Sequence, residues 1–239
     1  MADAYIVGAI RTATGRKKGR LSGIHPVDMG AIVVDELIEQ TGIPTNEVDD
    51  VIFGVVSQIG SQAGNLGRNV AMSSSLALEV PGTTVDRQCG SSLQAIQFGA
   101  QAVMSGTQDV IICGGVEAMS TVEIGSNLRD GWELGSGVPK GVRLEVQYPG
   151  IQFSQFDGAE LLAEKYEISR DELDAFGLLS HQRASQATSD GLFKNEVVPL
   201  NIKLEDGSSD VHEIDEGIRF DASLESLQGL SPLREGGVI

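Results

Sequence analysis

Apolar positions along the first half of the chain alternate between two spacings, which predicts a sheet covered by helices. Ala4–Ile10 is an apolar run of strand length and is expected to be a buried strand. Met29, Ile32, Val33 and Leu37 then recur at helical spacing, with Pro26 suited to a first turn and Gly42 placed as a stop. Val51–Val56 reads as a second strand, Leu66, Val70, Ser73 and Ala77 mark a small-residue helical face, and Thr83–Val85 is a short third strand. From Cys89 to Met104 the positions Leu93, Ile96, Ala100 and Val103 form one stripe, which predicts the buried face of another helix. Gly106 ends it before a strand over Asp109–Cys113.

Beyond Gly115 the periodicity fades. Ser120–Gly150 holds eight glycines or prolines and is expected to be an ordered but irregular excursion. Two helices follow, one over Gly158–Tyr166 and one opening with Ser169 and Glu172 in capping-box spacing and running to about Ala187. Glu205–Glu225 is strongly acidic, and Gly236-Gly237-Val238-Ile239 resembles a turn followed by the first residues of a strand.

Composition narrows the function classes. With 239 residues, 41% apolar content and a mean hydropathy of -0.02, the chain can bury one large core or two small ones. Its 17 basic and 34 acidic residues give a net charge of -17, which opposes nucleic acid and anionic membrane surfaces as partners. No apolar run is long enough to span a bilayer, and residues 1–11 lack a secretory pattern, so a cytoplasmic setting is expected. Cys89 and Cys113 show no metal-ligand spacing, and free thiols without zinc or a disulfide are expected.

Cys89 is the candidate for chemistry. In Val85-Asp86-Arg87-Gln88-Cys89-Gly90-Ser91-Ser92 it stands between a strand and a helix, where unpaired N–H groups and the helix dipole favour negative charge on sulfur. Small following residues leave room for a substrate, although a buried structural cysteine fits the same local pattern. Cys113, in the apolar run Val110-Ile111-Ile112-Cys113, reads as a packed thiol. His25-Pro26 reads as a helix start, and His181 and His212 as solvent-facing.

The string Val-Asp-Arg-Gln-Cys-Gly-Ser-Ser-Leu-Gln-Ala around Cys89 resembles the active-site segment of thiolases. Ile10-Arg11-Thr12, Asn65–Met72, Gly114-Gly115-Val116-Glu117-Ala118-Met119-Ser120 and Asp215-Glu216-Gly217-Ile218-Arg219 follow in the family's order. The resemblance implies an α/β fold of the layered thiolase type. Residues 1–120 would form an N-terminal mixed-sheet core whose final strand is missing, and 121–239 a loop domain over the coenzyme A site. It further implies an acyl-CoA acyltransferase in which Cys89 accepts the acyl group as a thioester and its N–H helps hold the oxyanion. Coenzyme A thioesters would be substrates, with no other cofactor. Arg219 and Ser226 match positions near the adenine nucleotide, and Arg219 is the only arginine in the acidic stretch.

The family's Gly-His-Pro histidine, second catalytic cysteine and Asn-Glu-Ala-Phe asparagine do not occur in these residues. The chain is therefore expected to be an N-terminal part that keeps a reactive Cys89 without turning over acyl-CoA alone. Ser154-Gln155-Phe156-Asp157-Gly158 replaces the His-Met-Gly-Thr-Thr of biosynthetic members, pointing to degradative chemistry on longer or bulkier chains. A homodimer or homotetramer is implied, paired through Thr83–Val85. The alternatives are a non-catalytic acyl-CoA-binding subunit and a ketoacyl synthase-type condensing enzyme, the latter opposed by the Gly114–Ser120 segment.

Overall fold

The computed structural model of the chain describes residues 3–204 and 206–239. Met1, Ala2 and Glu205, the first residue of the acidic stretch, lie outside the described residues. Two compact units are present, one taking in the chain up to Gly137 together with Asn195–Asp215, the other Val138–Lys194 with Glu216–Ile239.

The first unit is built on three parallel strands, β2 (Asp50–Gly54), β3 (Gly82–Val85) and β4 (Ile111–Gly115), in the order β3-β2-β4. Helices α1 (Pro26–Thr41), α2 (Leu66–Ser73) and α3 (Ser91–Ser105) cover them. The α1 ends follow the sequence: Pro26 opens it, the His25 ring accepts the Val27 N–H at 3.3 Å, and Gly42 closes it at φ 66°. Val27, Val34, Val51, Phe53, Leu66 and Val70 form the centre of the core, each worth about 1.5–3 kcal/mol when fully buried.

The faces differ from those the apolar stripes predict. Ile32 is exposed, while Val27, Met29, Ala31 and Val34 are buried. On α3 the inversion is larger: Leu93 is 61% exposed and Ile96 42%, whereas Ser91, Gln94, Ala95 and Gly99 are buried. Close approach decides which side chains face the sheet. A Cβ on Gly99 would collide with the Cys113 sulfur of β4, so the helix seats on the sheet through its smallest side chains.

Ala4–Ile10 does not form the expected strand. Only β1 (Arg11–Thr12) pairs, in parallel with β5 (Val197–Val198). Among the described residues no strand lies beside 4–10, and Tyr5, Ile6 and Val7 are more than two-thirds exposed. An apolar groove of about 1510 Å³ runs between this segment, α1, α3 and the outer edge of β4.

A second difference is β-structure running into the acidic stretch. β6 (Leu200–Lys203) and β7 (Ser209–His212) form an antiparallel hairpin, and Val198, Leu200 and Ile202 pack on Met29. His212 is not solvent-facing: it lies opposite Leu200 in register, is 1% exposed, and its Nε2 meets the Ala13 carbonyl at 3.1 Å. The irregular excursion also contains helices, α4 (Ser126–Glu133) and α5 (Val142–Gln147), because its glycines punctuate helix ends: Gly125, Gly135 and Gly137 all have positive φ.

In the second unit, α6 (Gln155–Lys165) starts earlier than expected, with the Ser154 hydroxyl capping the Asp157 N–H at 3.3 Å. α7 (Arg170–Ser189) has the capping box of Ser169 and Glu172, and α8 (Leu224–Gln228) follows a second one. Gly236–Ile239 is not a strand; the Val238 and Ile239 N–H groups donate to the buried Glu160 carboxylate at 3.0 Å. These bonds hold Glu160 below the usual carboxylate range.

A polar clasp joins the ends of the first unit. Arg11 binds Asp215 through two bonds of 2.7 and 3.0 Å and Glu196 through one of 2.8 Å, and Asp215 also accepts the Thr14 N–H at 2.6 Å. Burial pushes the Asp215 carboxyl up, but its bonds from Arg11 and Thr14 outweigh this and leave it below the ordinary value. A carboxyl depressed by folding contributes stability above its unfolded value and loses it as pH falls through the folded one. Asp215→Asn should therefore cost about 1–3 kcal/mol at neutral pH, a difference that shrinks below about pH 4. Urea unfolding of both forms across pH checks this; a constant gap at all pH values would contradict it.

Candidate functional site

Cys89 is carried on a strained turn between β3 and α3. Gln88, directly before it, takes φ 51°, a left-handed conformation uncommon for a residue with a side chain. Local bonds hold the turn: the Asp86 carboxylate accepts the Gln88 N–H at 2.7 Å, the Ser91 hydroxyl accepts the Arg87 N–H at 2.9 Å, and the Gln88 carbonyl accepts the Ser91 N–H at 3.0 Å. Gly90 then caps α3. The result is an exposed thiol whose own N–H has no acceptor among the described residues. Such an N–H is available to a developing oxyanion.

The turn is seated by glycine. A Cβ on Gly54 at the end of β2 would strike the backbone of Ser91 and Ser92, and one on Gly115 at the end of β4 would strike the Ser92 hydroxyl. The first turn of α3 thus rests directly on two strand ends. Behind it lies a network that the sequence reading did not assign. Glu117 accepts the Val56 and Ser57 N–H groups at 2.8 and 3.1 Å and the Gln62 amide at 3.0 Å, while the Gln62 oxygen accepts the Ala118 N–H at 2.6 Å. Gln62 is fully buried. A carboxylate two residues after a glycine pair at a strand end was the available signal.

Cys113 differs in every respect. It lies half-buried on β4, and burial pushes its thiol up to about 11. The histidines all meet backbone atoms: His25 caps α1, His212 meets Ala13, and the His181 Nδ1 accepts the Arg219 N–H at 3.2 Å. His181 is therefore half-buried and engaged, where a solvent-facing side chain was expected.

Arg219 and Ser226 both lie in the second unit and are exposed. Among the described residues the Arg219 guanidinium makes no ion pair. The Ser226 hydroxyl donates to the Ser223 carbonyl at 2.8 Å and accepts the Ser223 N–H at 3.2 Å, which leaves one lone pair open. Cys89 belongs to the other unit.

A family model described as thiolase, N-terminal domain, matches residues 4–238. The chain belongs to the thiolase family. It is 47% identical over 239 residues to a steroid 3-ketoacyl-CoA thiolase of Mycobacterium tuberculosis, covering 99% of this chain and 57% of that protein. It is 34% identical over 241 residues to a 3-ketoacyl-CoA thiolase of Bacillus subtilis, covering 97% and 59%. The crystal structure of the Bacillus anthracis acetyl-CoA acetyltransferase superposes with a TM-score of 0.81 at 30% identity, covering all of this chain and 61% of that one. The chain thus spans under two-thirds of the length of these thiolases, and the α/β fold expected from the sequence is theirs.

The contrast between the two thiols is directly measurable. Cys89 should alkylate with iodoacetamide at least about tenfold faster than Cys113 at neutral pH, since only Cys89 is exposed and Cys113 is almost wholly protonated. Peptide-resolved mass spectrometry over a time course reads both rates, and equal labelling would contradict this assignment.

Proposed function

We propose that the protein is an acyl-CoA acyltransferase of the thiolase type, acting degradatively on 3-ketoacyl-CoA, with Cys89 as the nucleophile. The observation that carries the reading is the exposed thiol on the strained turn at the start of α3, beside its own N–H, which has no acceptor among the described residues. In this scheme the Cys89 sulfur attacks the C3 carbonyl carbon, and the N–H helps hold the oxyanion. Collapse breaks the C2–C3 bond, C2 takes a proton, and acetyl-CoA leaves. Attack by the coenzyme A thiol on the thioester then releases the shortened acyl-CoA and restores Cys89. The proton carriers are assigned to the histidine and second cysteine of the family's C-terminal half. Residues 121–239 are assigned the role of loop domain, with Arg219 and Ser226 contacting the nucleotide.

A bulky acyl group is favoured by the likeness to a steroid 3-ketoacyl-CoA thiolase and by Phe156, 53% exposed in the segment that departs from the biosynthetic pattern. Dimerisation through β3 suits its place at a sheet edge. Commitment of all three histidines to backbone partners favours one second reading, a subunit that binds acyl-CoA without turnover.

In the full-length protein, 3-ketoacyl-CoA should leave an acyl adduct on the Cys89 peptide, and Cys89→Ala should lower thiolysis by at least about a thousandfold. A ring-bearing 3-ketoacyl-CoA should be cleaved with higher kcat/KM than acetoacetyl-CoA. Coenzyme A binding without any adduct or turnover would favour the second reading, and turnover surviving Cys89→Ala would overturn the first.

A further inference from the structure

One face of α7 is used up by a single partner. Arg170, Asp174, Gly177 and His181 are spaced four, three and four residues apart, so they share one side of the helix. Each makes a contact that serves the segment Arg219–Leu230. At the near end Asp174 holds the Arg170 guanidinium at 2.9 Å from both carboxylate oxygens, and Arg170 in turn donates to the Leu227 and Leu230 carbonyls at 3.0 Å. Asp174 is 8% exposed, so this ion pair is largely withdrawn from water. At Gly177 a Cβ would lie 3.8 Å from the Leu227 side chain, which packs over it. At the far end His181 accepts the Arg219 N–H.

Arg219 and Ser226 therefore sit on a strap fixed at both ends to one rigid helix. The two fixings differ in kind. Arg170 grips carbonyls after Ser226, whereas His181 grips the backbone N–H of Arg219 itself. Fixing that N–H restrains the direction in which the Arg219 side chain leaves the backbone. Accepting at Nδ1 places the ring proton on Nε2, so the contact is made by the neutral ring.

We infer that His181 is a positioning residue for the coenzyme A nucleotide: through the Arg219 N–H it aims the Arg219 guanidinium at the ligand. The inference rests on the reading of Arg219 as a coenzyme A contact. It assigns His181 no part in bond making, and so separates nucleotide binding from chemistry at the thiol.

The test uses the full-length protein and two thioester substrates with the same acyl group. One is the coenzyme A thioester; the other is the N-acetylcysteamine thioester, which lacks the nucleotide. His181→Phe removes the acceptor and should raise KM for the coenzyme A thioester about three- to tenfold, with kcat little changed. Kinetics with the N-acetylcysteamine thioester, at saturating coenzyme A as the attacking thiol, should stay within about twofold. His181→Asn should restore the coenzyme A KM, because its amide oxygen stands where Nδ1 stood; His181→Gln, whose oxygen lies one bond farther out, should not. The Gln and Asn pair also serves if the Phe form does not fold. Arg219→Ala should share the nucleotide-dependent defect. An unchanged KM in Arg219→Ala would overturn the underlying reading and the inference with it. A raised KM in Arg219→Ala with none in His181→Phe or His181→Gln would overturn the inference alone, as would an equal loss on both thioesters or a failure of Asn to rescue.

Discussion

The first turn of α3 comes down on the ends of β2 and β4 with no side chain between, and this seats the turn that carries Cys89 just before it. Gly54 and Gly115 supply backbone without side chains where Ser91 and Ser92 come down, and Gly99 does the same farther along against Cys113. This contact sets which residues the helix buries. Small and polar side chains go inward against the sheet, and in the turn that precedes the helix Gln88 takes a left-handed conformation. A larger residue at either strand end would lift the helix and relax the turn, moving the thiol and its N–H away from the strand ends.

Charge is distributed with similar economy in an acidic chain. Arg11, Arg20 and Arg234 each meet a carboxylate far away in sequence, and Arg170, paired with Asp174 four residues on, reaches two distant carbonyls. Exposed pairs of this kind contribute little each, but the clasp at Asp215 and the grip of Arg170 on two carbonyls are partly buried and directional. Glu117 and Glu160 work from the opposite sign, gathering backbone N–H groups rather than cations. Carboxylates that accept several N–H bonds organise irregular backbone without needing regular secondary structure.

Local signals were legible where one residue decides the geometry. The Pro26 start, the Gly42 and Gly106 stops, and the capping box of Ser169 and Glu172 all stand where the sequence places them. The β2, β3 and β4 strands are displaced by one or two residues at most. What failed were inferences that depend on neighbours. Against the sheet α3 packs Ala95 and Gly99, while Leu93 and Ile96 lie on a face that nothing among the described residues covers. Ala4–Ile10 has strand composition but among the described residues no strand lies beside it, and Leu200 and Ile202 form a buried hairpin face just before the acidic stretch. The cysteine was visible through its flanking motif. His181, Arg170 and Gln62 were not, because the contacts that fix their roles reach backbone atoms distant in sequence, which no side-chain pattern reveals.

The clasp between Arg11 and Asp215 joins residues 204 apart in the chain. Thermodynamically that span matters little, since each doubling of a loop adds only about 0.6 kcal/mol of closure entropy. In time it matters more. At ribosomal rates of roughly 5–20 residues per second, the N-terminal segment waits about 10–40 s for its carboxylate partner to be made. Through that interval the Arg11 guanidinium and the Thr14 N–H are without the carboxylate that later binds both, so the clasp closes only after nearly the whole described chain has been made.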